Sequence, residues 1–259
     1  MSFTSNINPV LAHLGPLTIR WYGVIYALGF IIAYCWLRRE IKRKTLALSA
    51  DDTDTFFLYL IPGVVIGARV FEIIFYEPTY YFANPVQMVA VWNGGLSFHG
   101  GLVGAALAVY LFTKHKKIPF YDLADTLVIP AAFALFLGRI ANFINAELPG
   151  IATNVPWCVY FPGVEGCRHP SQLYEAAKNL VICAVLLLVQ RSELKKDHHR
   201  RKNKGYLFWL FVLLYGTLRF IVNFWRDDPI VFFGLQTGQL LSVAMALAAA
   251  IVLWTKYRK

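Results

Sequence analysis

The sequence predicts an all-α integral membrane protein of seven transmembrane helices, with the N-terminus outside and the C-terminus in the cytoplasm. Three observations carry this reading. Of 259 residues, 58% are hydrophobic and only 15% are charged, whereas soluble domains are roughly half apolar and about a quarter charged. Extended apolar runs such as WYGVIYALGFIIAYCWL recur along the chain, approaching the roughly 20 residues that a helix needs to cross the hydrocarbon core. Lysine and arginine crowd into RREIKRK, KHKK, RSELKKDHHRRKNK and KYRK, and these lie on one side of a seven-span chain, the cytoplasmic side by the positive-inside rule. The net charge of +10 therefore sets topology and does not indicate a nucleic-acid partner. Period-2 alternation, which a membrane barrel requires, is absent.

The spans are read at 20–38, 55–76, 96–114, 122–144, 171–191, 205–225 and 237–255, within a single polytopic domain covering 1–259. Residues 1–19 contain Pro9 and Pro16 and read as an external surface arm. No basic residue precedes Arg20, so a secretory n-region is missing and the first span reads as a retained helix. Asp51, Asp52 and Asp54 before the second span, and Asp122 and Asp125 before the fourth, read as helix caps and dipole partners. Residues 77–95 form an external connection whose Tyr80, Tyr81 and Trp92 suit the interface. In SFHGGLVG, at the start of the third span, Gly100, Gly101 and Gly104 leave a helix face bare enough for close backbone approach. Residues 145–170 form the largest external loop, over the cavity. RHPSQLYE reads as the cap of the fifth span and the cavity roof, and 191–204 as a solvated loop facing anionic lipid. Cys35 and Cys183 read as packing residues. Cys158 and Cys167 share the external loop, where a disulfide and two free thiols are both open readings.

Ionisable residues inside spans are functional candidates. Direction of travel puts Arg69, Arg139, Arg219, Arg226, His99, Tyr22 and Tyr26 in the outer half of the bilayer. Helical spacing groups them: Tyr22 with Tyr26, Arg69 with Glu72 and Tyr76, Arg139 with Asn142, and Tyr215 with Arg219 and Asn223. Guanidinium matches phosphate in a two-pronged geometry, and phospholipid phosphate lies at that depth, so the group reads as a lipid-phosphate site. The bland alternatives are snorkelling, or ion pairs of Arg69 with Glu72 and Arg139 with Glu147. His99, near the positive end of its helix, is expected neutral.

GRIANFINAELPG at 138–150 resembles the signature of the prolipoprotein diacylglyceryl transferases. IRWYG, WNGGLSFHGGLVG, RHPSQLYE and YGTLRFIVNFWR resemble further blocks of that family in the expected order. The resemblance implies seven membrane helices and transfer of the diacylglyceryl group of phosphatidylglycerol to a lipobox cysteine thiol in a preprolipoprotein. A thioether forms and glycerol phosphate is released. It implies that Arg139 binds the lipid, that Arg219 is a second essential arginine, and that Tyr22, His99, Asn142, Glu147, Gly150 and Tyr215 belong to the site. Where many members carry a glutamate four residues after the arginine of the sixth span, this chain has Asn223, which cannot balance Arg219. His99 is expected to take the thiol proton or order the site, with Arg139 and Arg219 clamping phosphate and Tyr26, Arg69, Asn223 and Arg226 lining the headgroup. No metal-ligand spacing is visible and no cofactor is expected. A non-catalytic lipid-binding relative and an anion or lipid transporter are the alternatives. The implied partners are phosphatidylglycerol and preprolipoproteins, with no nucleic acid, at the bacterial cytoplasmic membrane.

Overall fold

A computed structural model describes residues 3–15, 17–196, 203–232 and 234–258. Pro16 of the surface arm, 197–202 of the basic loop and Lys259 lie outside the described residues. The helices are α1 (Trp21–Lys42), α2 (Ala50–Phe71), α3 (Pro78–Ala83), α4 (Phe98–Lys116), α5 (Phe120–Ile144), α6 (Ser171–Lys196), α7 (Tyr206–Val222) and α8 (Thr237–Tyr257). A helix occupies each segment that the sequence reads as a span. Six of them, α1, α2, α5, α6, α7 and α8, are long and apolar enough to cross a membrane. The third segment, α4, has 19 residues but carries His99 and three glycines near one end and Lys114, His115 and Lys116 at the other, which dilutes its apolarity.

The chain divides into two compact units, residues 37–124 and residues 1–36 with 125–259. In the first, α2 and α4 lie against each other through glycines on both helices. A Cβ on Gly104 would overlap the Gly63 carbonyl, and one on Gly67 would overlap that of Gly100. The bare face read on α4 thus has its partner in Gly63 and Gly67, a G-x-x-x-G spacing that brings two backbones together. Phe56 and Phe112 stack edge-on below, and Lys116 pairs with Asp52 at 2.5 Å. Asp52 also closes a capping box with Ser49 at the start of α2, the role that its position predicts.

In the second unit, Val128, Ile129 and Ala132 of α5, Ile182, Cys183 and Leu186 of α6 and Leu207 of α7 form a buried cluster. Against Gly216 of α7 come the Ser242 carbonyl and Ala246 of α8. Asp125 does not cap its own helix. Its Oδ2 accepts from Gly205 N at 2.7 Å and its Oδ1 from Phe208 N at 2.8 Å, so it satisfies the free donors at the start of α7, which begins after a glycine that offers no side-chain cap. Cys183 is buried, as packing requires, whereas Cys35 is exposed.

Short strands, invisible to periodicity, organise the loops. β1 (Phe3–Thr4) pairs in parallel with β4 (Val159–Tyr160), which pairs antiparallel with β5 (Cys167–Arg168). β2 (Val10–Leu14) and β3 (Leu17–Arg20) form a hairpin, as do β6 (Ile230–Phe232) and β7 (Leu235–Gln236). The surface arm is therefore strand-forming and stitched to the 145–170 loop. Cys158 and Cys167 are joined in a disulfide across β4 and β5.

Candidate active site

The last turn of α5 runs into a tight reversal. Ala146 and Leu148 both adopt left-handed backbone conformations, an uncommon geometry for residues with side chains. The reversal turns Glu147 back over the helix end. Its carboxylate accepts from Asn142 Nδ2 at 2.7 Å and from Asn145 Nδ2 at 3.1 Å. The turn is pinned from α6, where Gln172 Nε2 donates to the Glu147 carbonyl at 2.6 Å and Ser171 Oγ to that of Leu148 at 2.9 Å. Glu147 thus pairs with asparagines, and Arg139 finds another carboxylate.

That carboxylate is Glu175, one turn into α6 and fully buried. Lys178 Nζ donates to it at 2.9 Å, Arg139 Nε lies 3.5 Å from it, and Arg219 Nη1 binds it through its other oxygen. Three cations therefore share one carboxylate. The Lys178 ammonium also stands 4.0 Å over the Tyr215 ring. Arg139 reaches Asn142 Oδ1 at 3.5 Å. These contacts of Arg139 are long for charge-assisted bonds, which close to about 2.7–2.9 Å. The Arg139 and Arg219 side chains keep 17% and 14% of their surface open, so both retain donor capacity. Tyr26 lies within electrostatic reach of Arg139 and Glu147, and its hydroxyl is 3.1 Å from that of Tyr22.

A second carboxylate lies beyond α7. Arg226 donates to Asp228 through Nε at 2.8 Å and Nη2 at 3.0 Å, and Arg219 Nη2 lies 3.6 Å from Asp228. Burial pushes the Asp228 carboxyl upward, but the hydrogen bonds and charge of Arg226 override it and hold it below its usual range. Asn223, fully buried, donates through Nδ2 to Gln236 Oε1. Position 223 carries no charge, and Asp228 supplies the carboxylate that faces Arg219. Arg226 Nη1 has no partner among the described residues.

The 145–170 loop is joined to this segment. Gly150 N donates to the His169 carbonyl at 2.9 Å and Ile151 N to that of Trp225 at 3.2 Å. A Cβ on Gly150 would strike the Trp225 carbonyl, so the glycine is a joint where two backbones meet. Arg168 donates to Asp227 at 3.0 Å. His169, itself part of the loop, is buried, with Nδ1 3.0 Å from the Tyr174 hydroxyl. Burial holds its imidazole below the ordinary histidine value.

In the other unit, Arg69 does not pair with Glu72. Its Nε donates to the Met88 carbonyl, its Nη1 to Tyr81 Oη and the Gly94 and Gly95 carbonyls, and its Nη2 to the Gln87 and Ala90 carbonyls, all at 2.6–3.1 Å. Every guanidinium nitrogen is engaged by the chain itself. His99, in the first turn of α4, meets Tyr76 Oη through Nδ1 at 3.1 Å.

Glu175, Lys178 and Asp228 are absent from the candidates read from the sequence. The first two had a visible signal, since both are ionisable residues three apart within a predicted span. Asp228 lies past the span, where no periodicity points.

The family profile described as prolipoprotein diacylglyceryl transferase matches residues 9–255. A phosphatidylglycerol–prolipoprotein diacylglyceryl transferase of Geobacter sulfurreducens is 45% identical over 249 residues, 93% of this chain and 92% of that protein. One of Chromohalobacter salexigens is 41% identical over 259 residues, 97% of this chain and 93% of that protein. One of Bordetella parapertussis is 38% identical over 251 residues, 94% and 93% respectively. With a carboxylate-centred arginine cluster built on the signature residues, and relatives this similar over nearly the whole length, the chain belongs to the prolipoprotein diacylglyceryl transferase family.

Proposed function

We propose that this protein transfers the diacylglyceryl group of phosphatidylglycerol to the lipobox cysteine of preprolipoproteins, at the outer face of the bacterial cytoplasmic membrane. Seven helices cross the bilayer in this reading, α4 included, with the N-terminus outside. The charge distribution supports it, because every lysine-rich run falls on one side. The 145–170 loop then covers the cavity from outside.

The observation that carries the reaction is the sharing of Glu175 by Arg139, Arg219 and Lys178. Four cations, Arg139, Arg219, Lys178 and Arg226, share Glu175 and Asp228, which leaves positive charge uncompensated. A phosphodiester is the anion that guanidinium donors fit best. The substrate sulfur attacks the glycerol carbon that bears the phosphate ester. The carbon–sulfur bond forms, the carbon–oxygen bond breaks, and glycerol phosphate leaves with a second negative charge that the thiol proton balances. Arg139 and Arg219 stabilise that charge as it develops. Glu175 aims both guanidinium groups, Asn142 and Glu147 meet the glycerol headgroup, and Tyr22, Tyr26 and Tyr215 line the cavity. Arg226 adds its remaining N–H to the headgroup side through Asp228. Arg69 fastens the 85–95 connection and is not assigned to the lipid. The nucleophile comes from the substrate, so no cysteine of the enzyme is required.

The test incubates purified protein with phosphatidylglycerol and a lipobox peptide, followed by mass spectrometry. Addition of the diacylglyceryl mass to cysteine is the expected result. Lipid binding without transfer would reassign the chain as a lipid carrier, and no lipid binding would remove the reading.

A further inference from the structure

We infer that Tyr76 is a positioning residue that fixes His99 with its ring proton on Nε2, so that the ring edge turned away from Tyr76 offers a hydrogen-bond donor and not an acceptor. The tautomer does not depend on the function proposed above.

Helix α2 ends in a π-turn, Glu72–Tyr76, closed by Glu77 N donating to the Glu72 carbonyl at 3.1 Å. Such a turn adds a residue to the helical cycle, and π-turns recur at functional sites. In this turn the Tyr76 hydroxyl reaches His99 Nδ1 at 3.1 Å. The two rings stand on helices whose backbones are held together by Gly63 and Gly67 against Gly100 and Gly104. Ser97 N donates to the Ala68 carbonyl at 3.1 Å and Ser97 Oγ accepts from Gly100 N, which secures the entry to α4 beside His99.

Neutral imidazole has one donor nitrogen and one acceptor nitrogen, and the bond made by one decides the state of the other. A phenol O–H is a stronger donor than an imidazole N–H, and an unprotonated imidazole nitrogen is a stronger acceptor than a phenol oxygen. The favoured pairing at this contact is therefore Tyr76 O–H donating to His99 Nδ1, with the ring proton on Nε2. The Tyr76 hydroxyl makes no other hydrogen bond among the described residues, and neither does His99 Nε2. Both residues are exposed. His99 is the second residue of α4. A ring with Nε2–H has no lone pair to take a proton at that nitrogen and offers a donor there.

The experiment is nitrogen NMR of the full chain labelled in its histidine rings, in lipid nanodiscs, with and without Tyr76→Phe. His99→Gln identifies the His99 signals by their loss. The expected wild-type spectrum shows protonated Nε2 and hydrogen-bonded, unprotonated Nδ1. In Tyr76→Phe the Nδ1 signal should shift and the two tautomers should mix, with turnover falling roughly 3–10-fold, the scale of one net hydrogen bond. A wild-type ring protonated on Nδ1, or a His99 spectrum identical in both proteins, overturns the inference. The spectra need no substrate, so a wild-type protein that transfers no lipid would remove the proposed reaction and leave the tautomer decided on its own.

Discussion

Two arginine environments in this molecule differ in what surrounds the same side chain. Arg69 is buried, and all its nitrogens are held at 2.6–3.1 Å by five carbonyls and one hydroxyl of the connection it anchors. Arg139 shares Glu175 with two other cations at 3.5 Å and holds Asn142 at 3.5 Å. Neutral acceptors at short range saturate a guanidinium. A crowded carboxylate at longer range orients one while leaving its charge available. Arg139 therefore keeps donor capacity that Arg69 lacks.

The severest way to break this contrast is Glu175→Ala. Removing the shared carboxylate leaves a buried Lys178 and two partly buried arginines without it, and stability should fall by about 3–5 kcal/mol. Thermal unfolding in detergent measures it, and an unchanged midpoint would mean that the cations do not depend on Glu175. Next come the two arginines themselves. Arg139→Ala should raise the reaction barrier by about 2–4 kcal/mol with a small effect on unfolding. Arg69→Ala should do the reverse, since it strands buried carbonyls at roughly 1–3 kcal/mol for each left unsatisfied. Assays of transfer and unfolding on both variants give the comparison, and equal loss of activity would erase the distinction.

A smaller effect concerns the loop joined to the Arg226 segment. Replacing Cys158 and Cys167 with serine should cost about 2–3 kcal/mol by the loop-entropy account. Limited proteolysis should then cut between β4 and β5, where the native chain resists. The smallest is a pH effect. Burial lowers the His169 value in the folded state, so below the ordinary histidine pKa, about 6.5, the unfolded chain binds the proton first. Stability should therefore fall as pH drops through the interval from that value to the folded one. Asp228 acts in a lower window: its folded value is depressed, so its contribution is full above the ordinary carboxylate range and is lost as pH falls through the folded value. Unfolding midpoints between about pH 8 and pH 5 test the first window, and His169→Asn should flatten the slope.

The sequence by itself determined the positions of the long helices. Apolar runs of membrane length leave the backbone no other way to satisfy its hydrogen bonds. It also placed Arg139, Asn142 and Glu147 on one helix end, because their spacing is local. It could not say which arginine pairs with which carboxylate. Arg69 and Glu72 are three apart, as are Glu175 and Lys178, yet only the second pair forms. Carbonyls from 87–95 outcompete Glu72 for Arg69, and that competition exists only after the connection has folded over α2. Asp228 beside Arg219 and Tyr76 beside His99 are likewise products of chain reversal, of β-bridging after α7 in one case and of a π-turn in the other. Helix formation is decided by each segment against its solvent. Ion pairing is decided by which of several acceptors the assembled fold brings nearest.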